Sequence, residues 1–307
     1  MLHQRGKMEY NNYKYEQMKQ DRKMCNTGLI NLEYVNTVIK ERPRDIHKGD
    51  CGRVLIIAGS VGMAGAAMLC ARGALRSGAG LVRISAPEEL YPILQVGVPE
   101  ATCVSRDISR LDYMAADVIA IGPGLGDDEN NGELIRTILN NYKETIVLDA
   151  DGINTICRAD LGHELMNTEA KVIMTPHPGE AKRFLEYFGL NTDVREREKA
   201  IIDLVVCSNA VCVLKGSGSL VAAQDEKSYI NTTGNPGMAT GGSGDVLTGI
   251  IAALAGQGLK PEDAAKAGVF IHGMAGDISA SRLGETGMTA MDIANDTALA
   301  FKQILGK

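Results

Sequence analysis

Residues 231–249 read NTTGNPGMATGGSGDVLTG. Five glycines, Gly234, Gly237, Gly241, Gly242 and Gly244, lead to one acid, Asp245, and a helix-like apolar run follows at once. Glycine lets backbone N–H groups approach a bound anion closely, and the unpaired N–H groups of a helix start point the same way. An anion hole with a carboxylate beside it can hold a phosphate and take a proton, which suggests phosphate-dependent chemistry on a hydroxyl. A simple charge complement to the helix end, worth under about 1 kcal/mol, would account for Asp245 but not for the glycines before it.

Other polar strings have the same punctuation. GSVGMAG at 59–65 has glycine spacing unlike GxGxxG and lacks the Lys-Ser/Thr ending of a P-loop, so a dinucleotide grip of the Rossmann kind is poorly supported. GPGLG at 122–126 is either a ligand approach or a structural turn. In LDADGIN at 148–154, Asp149 and Asp151 are spaced to hold Mg²⁺ through water, beside phosphate oxygens, or to cap the next helix. His177 stands between two prolines in MTPHPGE, with Glu180 three residues on. Ligand contact is the favoured reading of His177, while a capping box is an innocent role for Glu180. Lys215, followed by Gly216, Ser217, Gly218 and Ser219, can hold a phosphate or a ribose, and a plain hairpin turn explains those glycines equally well.

The elements that must position these residues alternate along the chain. RVLIIAG at 53–59, LVRISA at 81–86, DVIAI at 117–121, TIVLD at 145–149, KVIMT at 171–175 and AVCVL at 210–214 read as buried strands. Helical patterns cover 64–77, 129–141, 179–188, 194–208, 242–255, 261–280 and 290–305. Near-continuous aliphatic strands, each followed by a helix, imply an α/β fold: a three-layer α/β/α sandwich around a mostly parallel central sheet. In such sheets the ligand crevice lies beyond the carboxyl ends of the strands, where nearly all these polar strings fall.

Composition narrows the setting. Of 307 residues, 45% are apolar but only 4% aromatic, so the core must be aliphatic. A net charge of −6 argues against a nucleic-acid surface. Residues 1–23 carry six Lys/Arg against three Asp/Glu, and 1–28 reads as a polar, basic extension ahead of a single domain at 29–307. Seven cysteines without a CxxC pair fit reduced thiols in a cytoplasmic protein. The start of the chain has no apolar signal core, and the longest apolar stretch is too short to span a membrane.

The blocks HKGDCGRVLIIAGSVGMAGAA, RSGAGLV, IGPGLG, VLDADGIN, MTPHPGEAKRF, VLKGSGSLVA, NTTGNPGMATGGSGDVLTG and GMTAMDIA, taken in this order over residues 32–305, resemble the ADP/ATP-dependent NAD(P)H-hydrate dehydratases, which have a ribokinase-like fold. GGSGD resembles the GxGD signature of ribokinase-like kinases, whose aspartate activates the attacking hydroxyl. The resemblance implies repair of NADHX and NADPHX, the hydrates of NADH and NADPH: the hydroxyl of the (6S) hydrate is phosphorylated by ADP or ATP and phosphate is then eliminated. It implies Asp245 as base, with N–H groups around Gly242 and Gly244 stabilising the transferring phosphoryl group. Ala66, Gly126, His177 and Asp245 would contact the hydrate, Lys215 to Ser219 and Gly244 the adenine nucleotide. Mg²⁺ would bridge the phosphates, with Asp149 and Glu180 as candidate ligands. In the Asn-x-x-Glu motif of many ribokinase-like kinases, His177 replaces the asparagine here. The resemblance further implies a homo-oligomer working with a separate NAD(P)HX epimerase, because the epimerase domain fused to some members is not among these blocks. The GxGD logic alone also allows a kinase of the same superfamily acting on a vitamin-precursor alcohol.

Overall fold

The computed structural model describes residues 27–224 and 226–307. The expected basic extension lies outside the described residues except for Thr27 and Gly28, and Gly28 already begins an edge strand.

Ten strands form one sheet. In chain order they are β1 (Gly28–Ile30), β2 (Arg53–Ile57), β3 (Leu81–Ser85), β4 (Thr102–Val104), β5 (Val118–Ile121), β6 (Thr145–Leu148), β7 (Lys171–Met174), β8 (Val211–Leu214), β9 (Leu220–Ala222) and β10 (Tyr229–Asn231). Across the sheet they run β1-β10-β9-β8-β7-β6-β5-β2-β3-β4. All neighbours are parallel except where β9 meets β8 and β10. The β8–β9 pair is a hairpin whose turn is the Lys215–Ser219 string. The expected mostly parallel sheet therefore forms, with one reversed strand.

The strand side chains alternate between two cores. Val54, Ile56, Val118, Ala120, Val147, Ile173 and Val213 face one layer. Leu55, Ile57, Ile119, Ile121, Ile146, Leu148, Met174 and Leu214 face the other. Period-two alternation with both faces apolar is what a covered parallel sheet requires. The first face is covered by α1 (Leu32–Val38), α2 (Ala64–Arg76), α3 (Tyr91–Gly97), α9 (Ser243–Gly256), α10 (Pro261–Leu283) and α11 (Ala290–Ile304). The second is covered by α4 (Asn130–Asn141), α5 (Ala150–Arg158), α6 (Gly162–Asn167), α7 (Pro178–Tyr187) and α8 (Arg197–Ser208).

Helix α9 carries Asp245 in its first turn and is otherwise apolar nearly all round, the pattern of a helix enclosed by protein. It crosses α2 at backbone distance. A Cβ added at Gly249 would lie 1.9 Å from the Cys70 carbonyl oxygen, and one at Gly73 would lie 2.4 Å from that of Val246. Neither obstacle is a flexible side chain, so the crossing admits nothing larger than glycine at either position.

Several strands end sooner than expected: β2 stops before Gly59, where φ is +77°, and β6 stops before Asp149, the residue preceding α5. We expect Gly249→Ala to force the two helices apart and cost about 3 kcal/mol, in the upper range for overpacking. Urea unfolding monitored by circular dichroism measures it; an unchanged midpoint would refute the glycine-only crossing.

Candidate active site

Helix α9 begins without a side-chain cap. Its N-cap is Gly242, with φ +91°, and a Cβ there would lie 2.3 Å from Leu69 Cδ1. The positive φ favours glycine, and any side chain there would have to displace the Leu69 tip. The Ser243 N–H reaches the Thr240 carbonyl at 3.4 Å, whereas those of Gly244 and Asp245 have no intrahelical partner and no side-chain cap, so they can meet an anion. Behind the loop, Ser243 Oγ lies 3.3 Å from His272 Nε2. Burial pushes the His272 pKa down to about 4, so this imidazole is neutral at pH 7 and braces the loop without exchanging protons.

Beneath the loop lies a cluster drawn from three strand ends. Lys215, directly after β8, donates from Nζ to Asp149 Oδ1 at 2.7 Å and lies 3.9 Å from Glu180 Oε2. Asp149 is 1% exposed, and its other oxygen accepts from Thr248 Oγ1 at 2.7 Å. Thr248 sits one turn after Gly244 on α9, so one carboxylate ties β6, β8 and the helix bearing Asp245 together. Asp149 occupies the N-cap position of α5 but makes no side-chain cap bond there. Gly244 borders the same group: a Cβ on it would lie 3.2 Å from Lys215 Nζ.

Electrostatics follow from this packing. Burial raises the Asp245 pKa most, the Asp149 carboxylate adds to the shift and Lys215 opposes it, and the outcome is about 7. Burial works against the Lys215 charge, but Asp149 and Glu180 outweigh it and the lysine pKa is raised. Glu180 is raised by burial.

His177 and Glu180 form a capping box at the start of α7. The His177 N–H donates to Glu180 Oε2 at 2.8 Å, and His177 Nδ1 accepts from the Gly179 N–H at 2.9 Å. Nδ1 is therefore unprotonated in this geometry, and Nε2, 3.2 Å from Glu180 Oε1, carries the proton. Burial, Lys215 and Arg183 lower the His177 pKa and favour that neutral form. The side chain is half exposed and remains open to a ligand.

The two glycine turns join each other on the far side of Asp149. The Gly59 N–H donates to the Pro123 carbonyl at 2.8 Å, and a Cβ on Gly124 would touch Ala66. Asp151 Oδ2 accepts from the Gly126 N–H at 2.9 Å. Asp151 also acts on the charge of Asp245, which brings the Ala66–Gly126 corner and the base within electrostatic reach of one another. In the 215–219 stretch, Lys215 turns inward to the carboxylates, whereas Gly216 and Ser217 are exposed in the hairpin turn. Arg197, at the start of α8, donates to the Leu214 and Ser217 carbonyls and so shapes that turn from beneath.

Thr248, His272 and Arg197 were not singled out in the sequence. Thr248 left a trace, being the one hydroxyl in VLTGIIAALAG; the other two left none.

Asp149 and Glu180 do not fit Mg²⁺ as they stand. Both Asp149 oxygens are engaged by Lys215 and Thr248, and both Glu180 oxygens lie against His177. Among the described residues, no group of three or more His, Cys, Asp or Glu is arranged to hold a metal. No helix of the described residues is long and apolar enough to cross a membrane. A cavity of about 490 Å³, lined by Ile39, Arg42, Ser77, Leu254 and Phe301 among others, lies at the amino ends of β2 and β3, whereas this cluster lies at the carboxyl ends of its strands.

A family model described as NAD(P)H-hydrate dehydratase matches residues 54–298. The bifunctional NAD(P)H-hydrate repair enzyme of Coxiella burnetii is 42% identical over 87% of this chain and 54% of its own length. The chain thus spans about half the length of the first curated relatives it matches. The ADP-dependent (S)-NAD(P)H-hydrate dehydratase of Neisseria meningitidis is 35% identical over 84% of this chain and 87% of its own. The crystal structure of the Bacillus subtilis ADP/ATP-dependent NAD(P)H-hydrate dehydratase, co-crystallised with ATP/Mg²⁺, superimposes with a TM-score of 0.79 at 29% identity, covering 92% of this chain and 100% of that one. Thermotoga maritima ribokinase, at 14% identity and a TM-score of 0.53 over 80% of this chain and 98% of its own, shows the ribokinase-like fold alone.

Two stability measurements test the cluster. The Asp245 pKa is raised from 3.8 to about 7, so the folded protein holds a proton that the unfolded chain releases, and stability falls as pH rises through that window. Asp245→Asn should therefore raise the urea midpoint at pH 8, with the gain vanishing near pH 4. Thr248→Val removes a hydrogen bond to a buried carboxylate and should cost about 2 kcal/mol, while Thr248→Ser should restore most of it; equal midpoints for the two variants would contradict the assigned bond.

Proposed function

The chain belongs to the NAD(P)H-hydrate dehydratase family, and from that premise we propose that it restores NADH and NADPH from their (6S) hydrates at the expense of ADP or ATP. The observation that carries the reading is Asp245: a carboxylate with a pKa of about 7, in the first turn of a helix whose glycine N-terminus is left uncapped. A base poised near the working pH is ionised often enough to accept a proton and basic enough to hold it.

In the proposed sequence Asp245 takes the proton from the hydrate's hydroxyl. The oxygen forms a bond to the terminal phosphorus of the nucleotide, and the bond from that phosphorus to the bridging oxygen breaks, so that ADP leaves AMP and ATP leaves ADP. The N–H groups of residues 242–244 stabilise charge on the transferring phosphoryl group. The carbon–oxygen bond at C6 then breaks with phosphate taking the electron pair, a proton leaves C5, and the C5–C6 double bond returns. Hydroxide leaves poorly and phosphate leaves well, which is what the nucleotide contributes.

Ala66, Gly126 and neutral His177 are assigned to the hydrate. Lys215, Gly216, Ser217, Gly218, Ser219 and Gly244 are assigned to the nucleotide, with Lys215 reaching it from beneath the loop. The Bacillus structure's ATP/Mg²⁺ supports a magnesium–nucleotide complex as the form that binds. The bifunctional relatives, of which this chain spans about half, support a second repair activity working beside this one, for which we propose the epimerase of the hydrate. A cytoplasmic homo-oligomer remains part of the same reading.

Incubating NADHX with the protein, Mg²⁺ and ADP or ATP in turn should restore reduced-nicotinamide absorbance. Asp245→Asn should keep the fold and lower turnover by roughly 10²–10⁴, the range for a lost general base. Wild-type turnover should rise with pH through about 7, as Asp245 ionises. No recovery with either nucleotide, combined with a stable phosphorylated product from an alcohol panel, would replace this reading with a kinase.

A further inference from the structure

Two buried carboxylates, Asp149 and Glu180, approach each other beneath the phosphate loop, and the cation between them belongs to the protein. Lys215 Nζ is 2.7 Å from Asp149 Oδ1 and 3.9 Å from Glu180 Oε2, and its side chain is 17% exposed. We infer that Lys215 is the resident cation of this pair: its ammonium occupies the position a divalent ion would need, so the nucleotide-free protein takes up no divalent metal there and metal enters only on the phosphates. The inference deepens the proposed function, because it concerns the same site.

The geometry excludes joint occupancy. Mg²⁺ needs oxygens at about 2.0–2.1 Å in near-octahedral array and sheds water reluctantly. An ion at that distance from Asp149 Oδ1 would meet an ammonium already hydrogen-bonded to the same oxygen, charge against charge. The remaining oxygens are held as well: Thr248 Oγ1 donates to Asp149 Oδ2, and the His177 N–H and Nε2 lie on Glu180. An ammonium suits the pair. It has three donors; one is spent on Asp149 Oδ1, and Glu180 Oε2 lies 3.9 Å away, within ion-pair reach. Gly244 leaves the side towards the loop open, because any side chain there would begin 3.2 Å from Nζ. Lys215 therefore neutralises one carboxylate below and presents positive charge to the loop above. This assigns Asp149 and Glu180 as positioning residues that hold the lysine, in place of the metal-ligand role expected of them.

Mn²⁺ titration of the nucleotide-free full chain, read by the loss of the free-ion electron paramagnetic resonance signal, tests this without turnover. The wild type and Asp149→Asn should give the same isotherm. Lys215→Met should gain about one equivalent of bound Mn²⁺, and the gain should disappear in the Lys215→Met/Asp149→Asn double variant. A wild-type equivalent that Asp149→Asn removes would overturn the inference, as would a folded Lys215→Met protein that gains none. If Lys215→Met does not fold, wild type against Glu180→Gln decides: matching isotherms support the resident lysine, and a lost equivalent overturns it. Because no step of catalysis is read, failure here leaves the dehydratase reading standing, and an inactive enzyme leaves this result standing.

Discussion

A carboxylate sealed from water must find its partners inside the protein, and the partners of Asp149 come from the parts that make the site. One oxygen takes Lys215 from the end of β8 and the other takes Thr248 from α9. Burying an ionised group without such compensation would cost several kcal/mol. The compensation therefore fixes more than the acid. It fixes how far α9 enters over the sheet, and hence where Asp245 and the glycine loop stand relative to the strand ends. The raised pKa of Asp245 follows from the same arrangement, since burial and the neighbouring Asp149 charge both disfavour a second anion.

The capping box at His177 works at one remove. By accepting the His177 N–H, Glu180 anchors the start of α7 and at the same time stays within Coulombic reach of Lys215. A local helix signal and a long-range charge pair thus share one side chain. The capping role expected from the sequence is present, and the charge pair with Lys215 is carried by the same carboxylate.

What could be read from the chain divides along physical lines. The central strands were legible because a doubly covered strand needs an unbroken aliphatic run, as in RVLII and TIVL. The polar strings were legible because glycine and proline mark where such runs stop. The three-residue strands β1, β4 and β10 were not, since their pairing is decided by neighbours remote in sequence. Helix α5 was foreshadowed only as the helix that the acids of DADG could cap, and its extent was not legible; it begins with Ala150 at φ +47°. The direction of Lys215 was equally illegible: its partner Asp149 is 66 residues away, and small neighbours say only that the lysine has room.

The two faces of the sheet differ in how their helices pack. Towards α2 and α9 the central strands present Val54, Ile56, Val118, Ala120, Val147, Ile173 and Val213, while towards α4 to α8 they present Leu55, Ile57, Ile119, Ile121, Ile146, Leu148, Met174 and Leu214. On the first face the helix of the base meets α2 backbone to backbone at Gly73 and Gly249; the second face fills space with aliphatic side chains that can re-pack. Evolutionary drift should accordingly be lopsided. Aliphatic residues on the α4–α8 face can trade places over generations, while Gly73 and Gly249, each facing backbone across the α2–α9 crossing, should stay fixed.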